Sequence, residues 1–307
     1  MKKVLSATGV LLGALHFASQ LRDIRRYAIS RTDVVLDVGS GQNPHPRANI
    51  LVDKFLTTSH ERAGGGGLVI DRPLILTDAA NTPFPAKAFD FVFCSHLLEH
   101  VESPSSLMDE LMRIGKRGYL ETPSKTYEKL WGWSFHRWYV STADNQLIVE
   151  KKLSEIFDTD LHAWFGARMG ERPFSRLILL RLRAFGLLVR FYWTGSIDYE
   201  VRDAGSIGVD GSDPGDEIGQ DTHNGLEQEL AAIRNYPYGA RARLKQAIAR
   251  RVRRGSDPIT NQLLLSLECP SCRSRLTAGE TRYACQGCRV EFARSADLFD
   301  FTRRLPG

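Results

Sequence analysis

Five short apolar runs in the first 125 residues constrain this chain most: VVLDV at 34–38, NILVD at 49–53, LILTD at 74–78, FDFVFCS at 89–95 and RGYLETP at 117–123. Such runs, alternating with helical segments, are the signature of a parallel sheet with crossover connections. Between the last two, Pro104 to Gly115 has helical spacing through Leu107, Leu111 and Met112. The expected fold is α/β: a Rossmann-like, mostly parallel sheet with flanking helices. Less regular strands are expected at Leu147–Glu150 and Arg190–Val201, with a helix at Phe174–Leu188 between them.

The 307 residues allow such a domain plus a smaller unit. A hydrophobic content of 42% with 25% charged residues excludes global disorder and a multi-span membrane protein. The net charge of +5 permits anionic partners without demanding them. Lys2 and Lys3 followed by VLSATGVLLGAL superficially resemble a signal peptide. A strand beginning near Asp33 favours instead a helix that packs Leu11, Leu12, Leu15, Phe17 and Leu21 on the sheet, and a cytoplasmic location is expected. No run reaches the ~20 apolar residues that a spanning helix needs.

Four of the five cysteines form two C-x-x-C pairs, Cys269 with Cys272 and Cys285 with Cys288, separated by twelve residues. Two such knuckles converge on the tetrahedral thiolate set of structural zinc, and a closed site of this kind stabilises a small unit without catalysing. Redox pairs are the competing reading. The expected organisation is a main domain over 1–202, an acidic glycine-rich linker over 203–226, a basic helical segment over 227–258 and a zinc ribbon over 259–307.

Gly39 and Gly41 directly follow the first run in VLDVGSGQNP, where absent Cβ atoms let backbone approach a ligand. A tight turn with no ligand would need the same residues. Asp53 ends the second run, Asp78 ends the third, and FDFVFCSHLLEHV carries the fourth. The missing third glycine of G-x-G-x-x-G disfavours a dehydrogenase. Over about residues 30–125 the chain resembles class I methyltransferases, particularly the type-11 group. That resemblance implies S-adenosylmethionine as cofactor, with Asp37, Gly39 and Gly41 at its methionine portion and Asp53 at its ribose. It also implies Asp78 at the adenine amine and the Ala79 amide near the ring, while Ser95, closing the fourth run, joins the candidate set. Hydroxyls and amines need acceptors, and an ionised carboxylate is acceptor-only. Only eleven residues separate Gly41 from Asp53, so the first crossover must be short or irregular.

His96, Glu99 and His100 follow the fourth run and would share a face if the chain turned helical there. HLLEH fits an inverted zinc-protease signature, but that motif belongs on a long helix with no cofactor-binding sheet around it. LEHV is similar to the segment in ubiquinone-pathway O-methyltransferases. The set continues through Thr122, Pro123 and His136 of FHRWYV, which resembles the metal site of small-RNA 2′-O-methyltransferases. This implies a second divalent metal on His96, Glu99, His100 and His136. Those families place a glutamate where His96 stands, and an imidazole favours zinc, manganese or iron over magnesium. The alternatives are a pocket wall, or a metal-free general base at His96 or His100.

The cysteine-bearing segment resembles the small zinc-ribbon proteins that partner and activate methyltransferases, although it ends in ARSADLFDF where they carry Pro-Ile-x-Asp-Gly-Ile-Pro. This implies activation in cis or a protein partner; nucleic-acid contact is the rival role. In the 240–254 helix Leu244, Ile248 and Val252 form one stripe among basic residues, suited to RNA phosphates, an anionic membrane surface or a solvated face. Trp131, Trp133, Trp138 and Tyr139 fall where an acceptor pocket or core would use them. The expected activity is methyl transfer to an unidentified acceptor, oxygen favoured, on a small molecule or saccharide. An RNA acceptor or a non-catalytic cofactor-binding scaffold is the alternative.

Overall fold

The computed structural model describes residues 7–56, 68–131, 135–152, 186–202, 240–253, 257–295 and 297–305. Strands β1 (Val35–Val38), β2 (Ile50–Asp53), β3 (Leu74–Leu76), β4 (Phe91–Ser95) and β5 (Arg117–Pro123) pair in parallel in the order β3-β2-β1-β4-β5. β1 and β3 are buried at every residue, as expected of central strands covered on both faces. Val35 and Leu51 pack into one apolar cluster with Phe91 and Phe93, while Leu36, Val38, Ile50 and Val52 belong to the cluster on the opposite face. The twofold alternation of side chains along each strand thus feeds two layers.

Helix α1 (Ala7–Arg26) ends on the first face, where Ile24 packs and the Tyr27 ring lies 5.6 Å from Phe91. Helix α2 (Pro104–Ile114) covers the other with Leu107, Met108, Leu111 and Ile114. It starts where it should: the Ser103 side chain accepts from the Ser106 amide, and Pro104 takes the first helical position.

The connection between β1 and β2 contains no helix. Arg47, fully buried, fills that place: its Nη2 donates to the carbonyls of Ser30 (2.7 Å) and Asp33 (2.6 Å), and its Nη1 to Asn49 Oδ1 (2.9 Å). A side-chain plug satisfies backbone acceptors that a crossover helix would otherwise cover.

Helix α3 (Lys125–Trp131) follows β5. Strands β6 (Trp138–Ala143) and β7 (Gln146–Lys151) form a hairpin whose turn residues Asp144 and Asn145 both have positive φ. The expected run 190–201 is two strands. β8 (Leu188–Thr194) pairs antiparallel with β5; after Gly195, at φ +75°, β9 (Tyr199–Arg202) joins β7 in a separate three-stranded sheet. The expected helix at 174–188 lies outside the described residues up to 185, and Leu188 opens β8. The expected linker 203–226 also lies outside them.

The basic segment is helical as α4 (Ala240–Arg253), followed by α5 (Asp257–Leu264). The four-cysteine unit then builds β10 (Leu276–Ala278), β11 (Arg282–Cys285), β12 (Glu291–Ser295) and β13 (Leu298–Leu305), each antiparallel to the next. β13 also pairs in parallel with β3, Leu298 opposite Leu74 and Asp300 opposite Leu76, so one ten-stranded sheet runs through both parts. Tyr283, Phe292, Phe299 and Phe301 belong to the same buried cluster as the face under α2. Among the described residues no helix is long and apolar enough to cross a membrane.

Candidate active site

The strand order reverses between β1 and β4, and open α/β sheets bind ligands beyond the carboxyl ends of the strands at that point. The candidate residues converge there. Gly39 (φ +73°) and Gly41 (φ +51°) need the left-handed region that glycine adopts without strain. A Cβ on Gly39 would also meet Leu97 at 3.2 Å, so this glycine seats the turn after β4, whereas a Cβ on Gly41 would meet nothing nearer than 4.0 Å. The Gly41 amide donates to Asp53 Oδ2 (3.2 Å) and the Phe55 amide to Asp53 Oδ1 (3.2 Å), which fixes the carboxylate at the mouth of the glycine loop.

Asp37 is buried beneath that loop and accepts the His45 amide at 2.7 Å. Burial pushes its pKa up to about 7, against the pull of the His45 amide and of Arg72. A carboxyl raised from 3.8 favours the fold below pH ~4 and loses that contribution as pH rises to about 7. Asp37→Asn, which keeps an acceptor for His45, is therefore expected to melt higher than the parent at pH 8 and to flatten the melting-temperature profile between pH 5 and 8. Scanning calorimetry across that range is the check; a parallel fall in both proteins would refute it.

Asp78 stands just past the end of β3, capped by the Ala80 amide at 2.9 Å and 3.3 Å from Lys54 Nζ at the surface. Ala79 is half-buried beside it, and Ser95 closes β4 opposite Glu121 of β5.

Residues 96–100 form a turn and no helix, because His96 sits at φ +55° and the turn closes with the His100 amide on the Leu97 carbonyl (3.0 Å). A non-glycine residue held there stores strain, a feature that clusters at functional sites. The turn aims its side chains at two different neighbours. His96 Nδ1 lies 3.4 Å from Glu99 Oε1 and its Nε2 3.8 Å from Glu121 Oε1. Loss of water on its inner side opposes its charge, but Glu99 and Glu121 outweigh that and raise its pKa above the usual histidine value. His100 faces the other way, stacked on Phe135 and edge-on to His136 at 4.7 Å. Burial lowers its pKa to about 4, so the ring is neutral at pH 7.

Glu99, His100 and His136 offer ligand atoms within 4.8 Å of one another; His96 stands outside that set. Burial favours the neutral form of Glu99, yet His96 outweighs it and keeps the carboxyl below its usual pKa. Its Oε2 accepts from Thr122 Oγ1 at 2.8 Å. Glu99 Oε1, beside His96 Nδ1 at 3.4 Å, and His100 Nδ1 are buried with no well-formed hydrogen bond among the described residues. Buried polar atoms so weakly met leave capacity for a further ligand. His136 Nδ1 meets Glu128 Oε1 at 2.5 Å, so Nε2 is the nitrogen a cation would meet; a carboxylate behind a histidine is the usual support of a metal ligand. The strand that delivers His136 is pinned here by the Arg137 amide on the Glu99 carbonyl (2.7 Å) and the Trp138 indole on the Val101 carbonyl (2.7 Å). Trp138 is thereby core; Trp133 lies outside the described residues.

Glu128 and Glu121 had no signal in the sequence. Glu128 lies on α3, one turn beyond Ser124, and Glu121 on β5, held by Tyr119 Oη (2.6 Å) and Arg190 Nε (2.9 Å). Only the packing of β5, α3 and β8 brings them to the histidines.

The four cysteine sulfurs also lie within 4.8 Å of one another. Both knuckles close alike: the amides of Arg273 and Arg289, each at left-handed φ, donate to the carbonyls of Cys269 (2.8 Å) and Cys285 (2.9 Å). Hydrogen bonding from Ser274 lowers Cys272 to about 6, while its neighbour Cys288 is raised to about 12. Thiols this crowded oppose each other's ionisation unless a cation joins them, so the donor set fits a metal.

Residues 51–120 match the family described as "Methyltransferase domain". No curated protein matches the chain by sequence. Among solved structures it is similar to the YcgJ protein of Bacillus subtilis (21% identity, 35% of this chain and 51% of that one, TM-score 0.27). It is also similar to a chain of the Haloferax volcanii complex containing the Trm112 methyltransferase activator (16%, 54% and 83%, 0.33). A third is the S-adenosylmethionine-dependent methyltransferase of Mesorhizobium loti (13%, 54% and 94%, 0.30). The chain spans about half the length of YcgJ. The fold is thus Rossmann-like, and one segment of it, residues 51–120, is similar to a methyltransferase-domain family.

Proposed function

We propose that this chain is an S-adenosylmethionine-dependent methyltransferase acting on an oxygen acceptor, with a divalent cation at Glu99, His100 and His136 and a structural zinc at the four cysteines. The observation that carries the reading is the gathering of the Glu99, His100 and His136 ligand atoms within 4.8 Å, where buried Glu99 Oε1 is met no closer than 3.4 Å, by His96 Nδ1. S-adenosylmethionine, when bound, supplies an electrophilic methyl group, and a divalent cation acidifies a bound hydroxyl. The glycine loop and Asp37 shape the floor of the nucleoside site; Asp53 and Asp78 present acceptors to its hydroxyls and amine. His96, its side chain half exposed, is placed to pass the acceptor proton to solvent. The protein's main task is to align two reactants and exclude water.

We read the acceptor as a small molecule or saccharide, and an RNA is the second reading because Arg250 and Arg251 of α4 are exposed. We read the four-cysteine unit as a built-in activator on the strength of the β13–β3 pairing. The Haloferax structure holds its activator as a partner in a complex. Native mass spectrometry of the gently purified chain tests the whole proposal, with S-adenosylhomocysteine added. Two metal ions plus the nucleoside are expected. One zinc plus nucleoside would reduce the histidine cluster to a pocket wall or metal-free base, and failure to take up any nucleoside would leave a scaffold protein.

A further inference from the structure

The first cysteine knuckle touches the loop that carries Asp78. Arg273, the residue after Cys272, is held at φ +60° by the knuckle. From there its Nη1 donates to the Thr82 carbonyl (2.6 Å) and its Nη2 to Asn81 Oδ1 (2.6 Å). The contact is reciprocated, since Asn81 Nδ2 donates to the Pro270 carbonyl (3.2 Å) and the Glu268 amide to the Pro83 carbonyl (2.7 Å). On its other side the loop is held by Glu110 of α2, buried, whose Oε1 accepts both the amide (2.8 Å) and the hydroxyl (2.5 Å) of Thr82. Arg273 also lies 3.8 Å from that carboxylate. Within the loop the Asn81 amide closes on the Asp78 carbonyl (3.0 Å) and Thr77 Oγ1 on the Asn81 carbonyl (3.2 Å).

We propose that Arg273 is a positioning residue that makes the order of the Asp78–Pro83 loop, and through it nucleoside affinity, depend on the filling of the four-cysteine cluster. A left-handed arginine is an unfavourable conformer for a non-glycine residue, and only a closed knuckle over-determines it. With the sulfurs drawn together the guanidinium is presented at one fixed place, and two groups of the loop, the Thr82 carbonyl and Asn81 Oδ1, are arranged around it. With the knuckle loose, the arginine relaxes, and Asn81 loses both the guanidinium and the Pro270 carbonyl. Asp78, three residues upstream in the same turn, then loses its fixed direction. The affinity half of this inference rests on the nucleoside reading above; the loop half does not.

The test uses the full metal-loaded chain and the variants Arg273→Ala, Asn81→Ala and the double variant, the second leaving the ribbon side chains intact. Hydrogen exchange without ligand is read at the Asn81 and Thr82 amides, and S-adenosylhomocysteine affinity by calorimetry. Arg273→Ala is expected to keep its metal, speed exchange at both amides about tenfold and weaken the nucleoside about tenfold. The double variant should be no worse than either single one, as expected of one coupled contact. Stripping the metal with a chelator should speed exchange in the parent and add little in Arg273→Ala. Unchanged exchange in Arg273→Ala overturns the proposal, as does stripping that speeds exchange equally in both, because coupling would then run through β13. If the parent binds no nucleoside, the methyltransferase reading fails, and the exchange result still decides whether Arg273 couples cluster to loop.

Discussion

Cys285→Ser is expected to lose the zinc proposed for the four cysteines and with it the stability of the whole sheet edge. Structural four-ligand zinc sites contribute on the order of 10 kcal/mol to the units that hold them, and loss of one thiolate forfeits a large part of that. Cys285 is buried, its amide bonded to Val290, and it ends the strand carrying Tyr283, whose ring lies 5.9 Å from Phe299 of β13. When β10–β13 loosen, β13 leaves β3 and exposes the edge Leu74–Leu76, all three buried in the intact protein. An unpaired apolar edge strand templates aggregation. At ~2–4 °C per kcal/mol for a domain of this size, the melting temperature should fall roughly 10 °C or more, with a rise in sedimenting aggregate. Metal analysis, calorimetry and sedimentation check this together. A variant that keeps one zinc per chain and its melting point would remove the structural role of the cluster, and a chain cut after Arg254 that stayed soluble and fully active would remove the built-in activator.

The second large effect concerns the histidine side of the site. His100→Ala and Glu99→Gln are each expected to reduce transfer of labelled methyl groups into acceptor fractions by on the order of 10²-fold or more, the scale of lost acid–base or metal assistance. S-adenosylhomocysteine affinity should stay within about twofold, because neither residue belongs to the nucleoside set. Glu99→Gln also discriminates between readings. If a cation is held there, the variant loses one metal per chain while Gln retains the acceptor for Thr122. If Glu99 only orients His96, the metal count is unchanged and the pH optimum moves to lower pH, since the carboxylate that raises the His96 pKa is gone. Unchanged turnover in both variants would leave the cluster as a pocket wall.

The parallel sheet, the glycine loop, the acid at or near the end of each of the first three strands and the two cysteine knuckles were legible because each is a local statement. A buried strand must be an apolar run, a left-handed turn favours glycine, and a knuckle is a fixed spacing of thiols. VVLDV, GSG and CPSC therefore carry their meaning within a few residues. What lay beyond the sequence is the product of distant packing. Arg47 standing in for a crossover helix, the 190–201 run dividing at Gly195 between two sheets, and His96–His100 forming a turn instead of a helical face are all set by neighbours far along the chain. The same holds for Glu128 behind His136 and for Glu121 beside His96, which no spacing relates to the histidines they support. Most of all, the pairing of β13 with β3 joins residues more than two hundred positions apart, and it makes the cysteine unit an extension of the parallel sheet. Strand-edge hydrogen bonds are open to any chain that presents a matching edge, so composition and periodicity determined that these strands exist, and only the tertiary structure decided which edge met which.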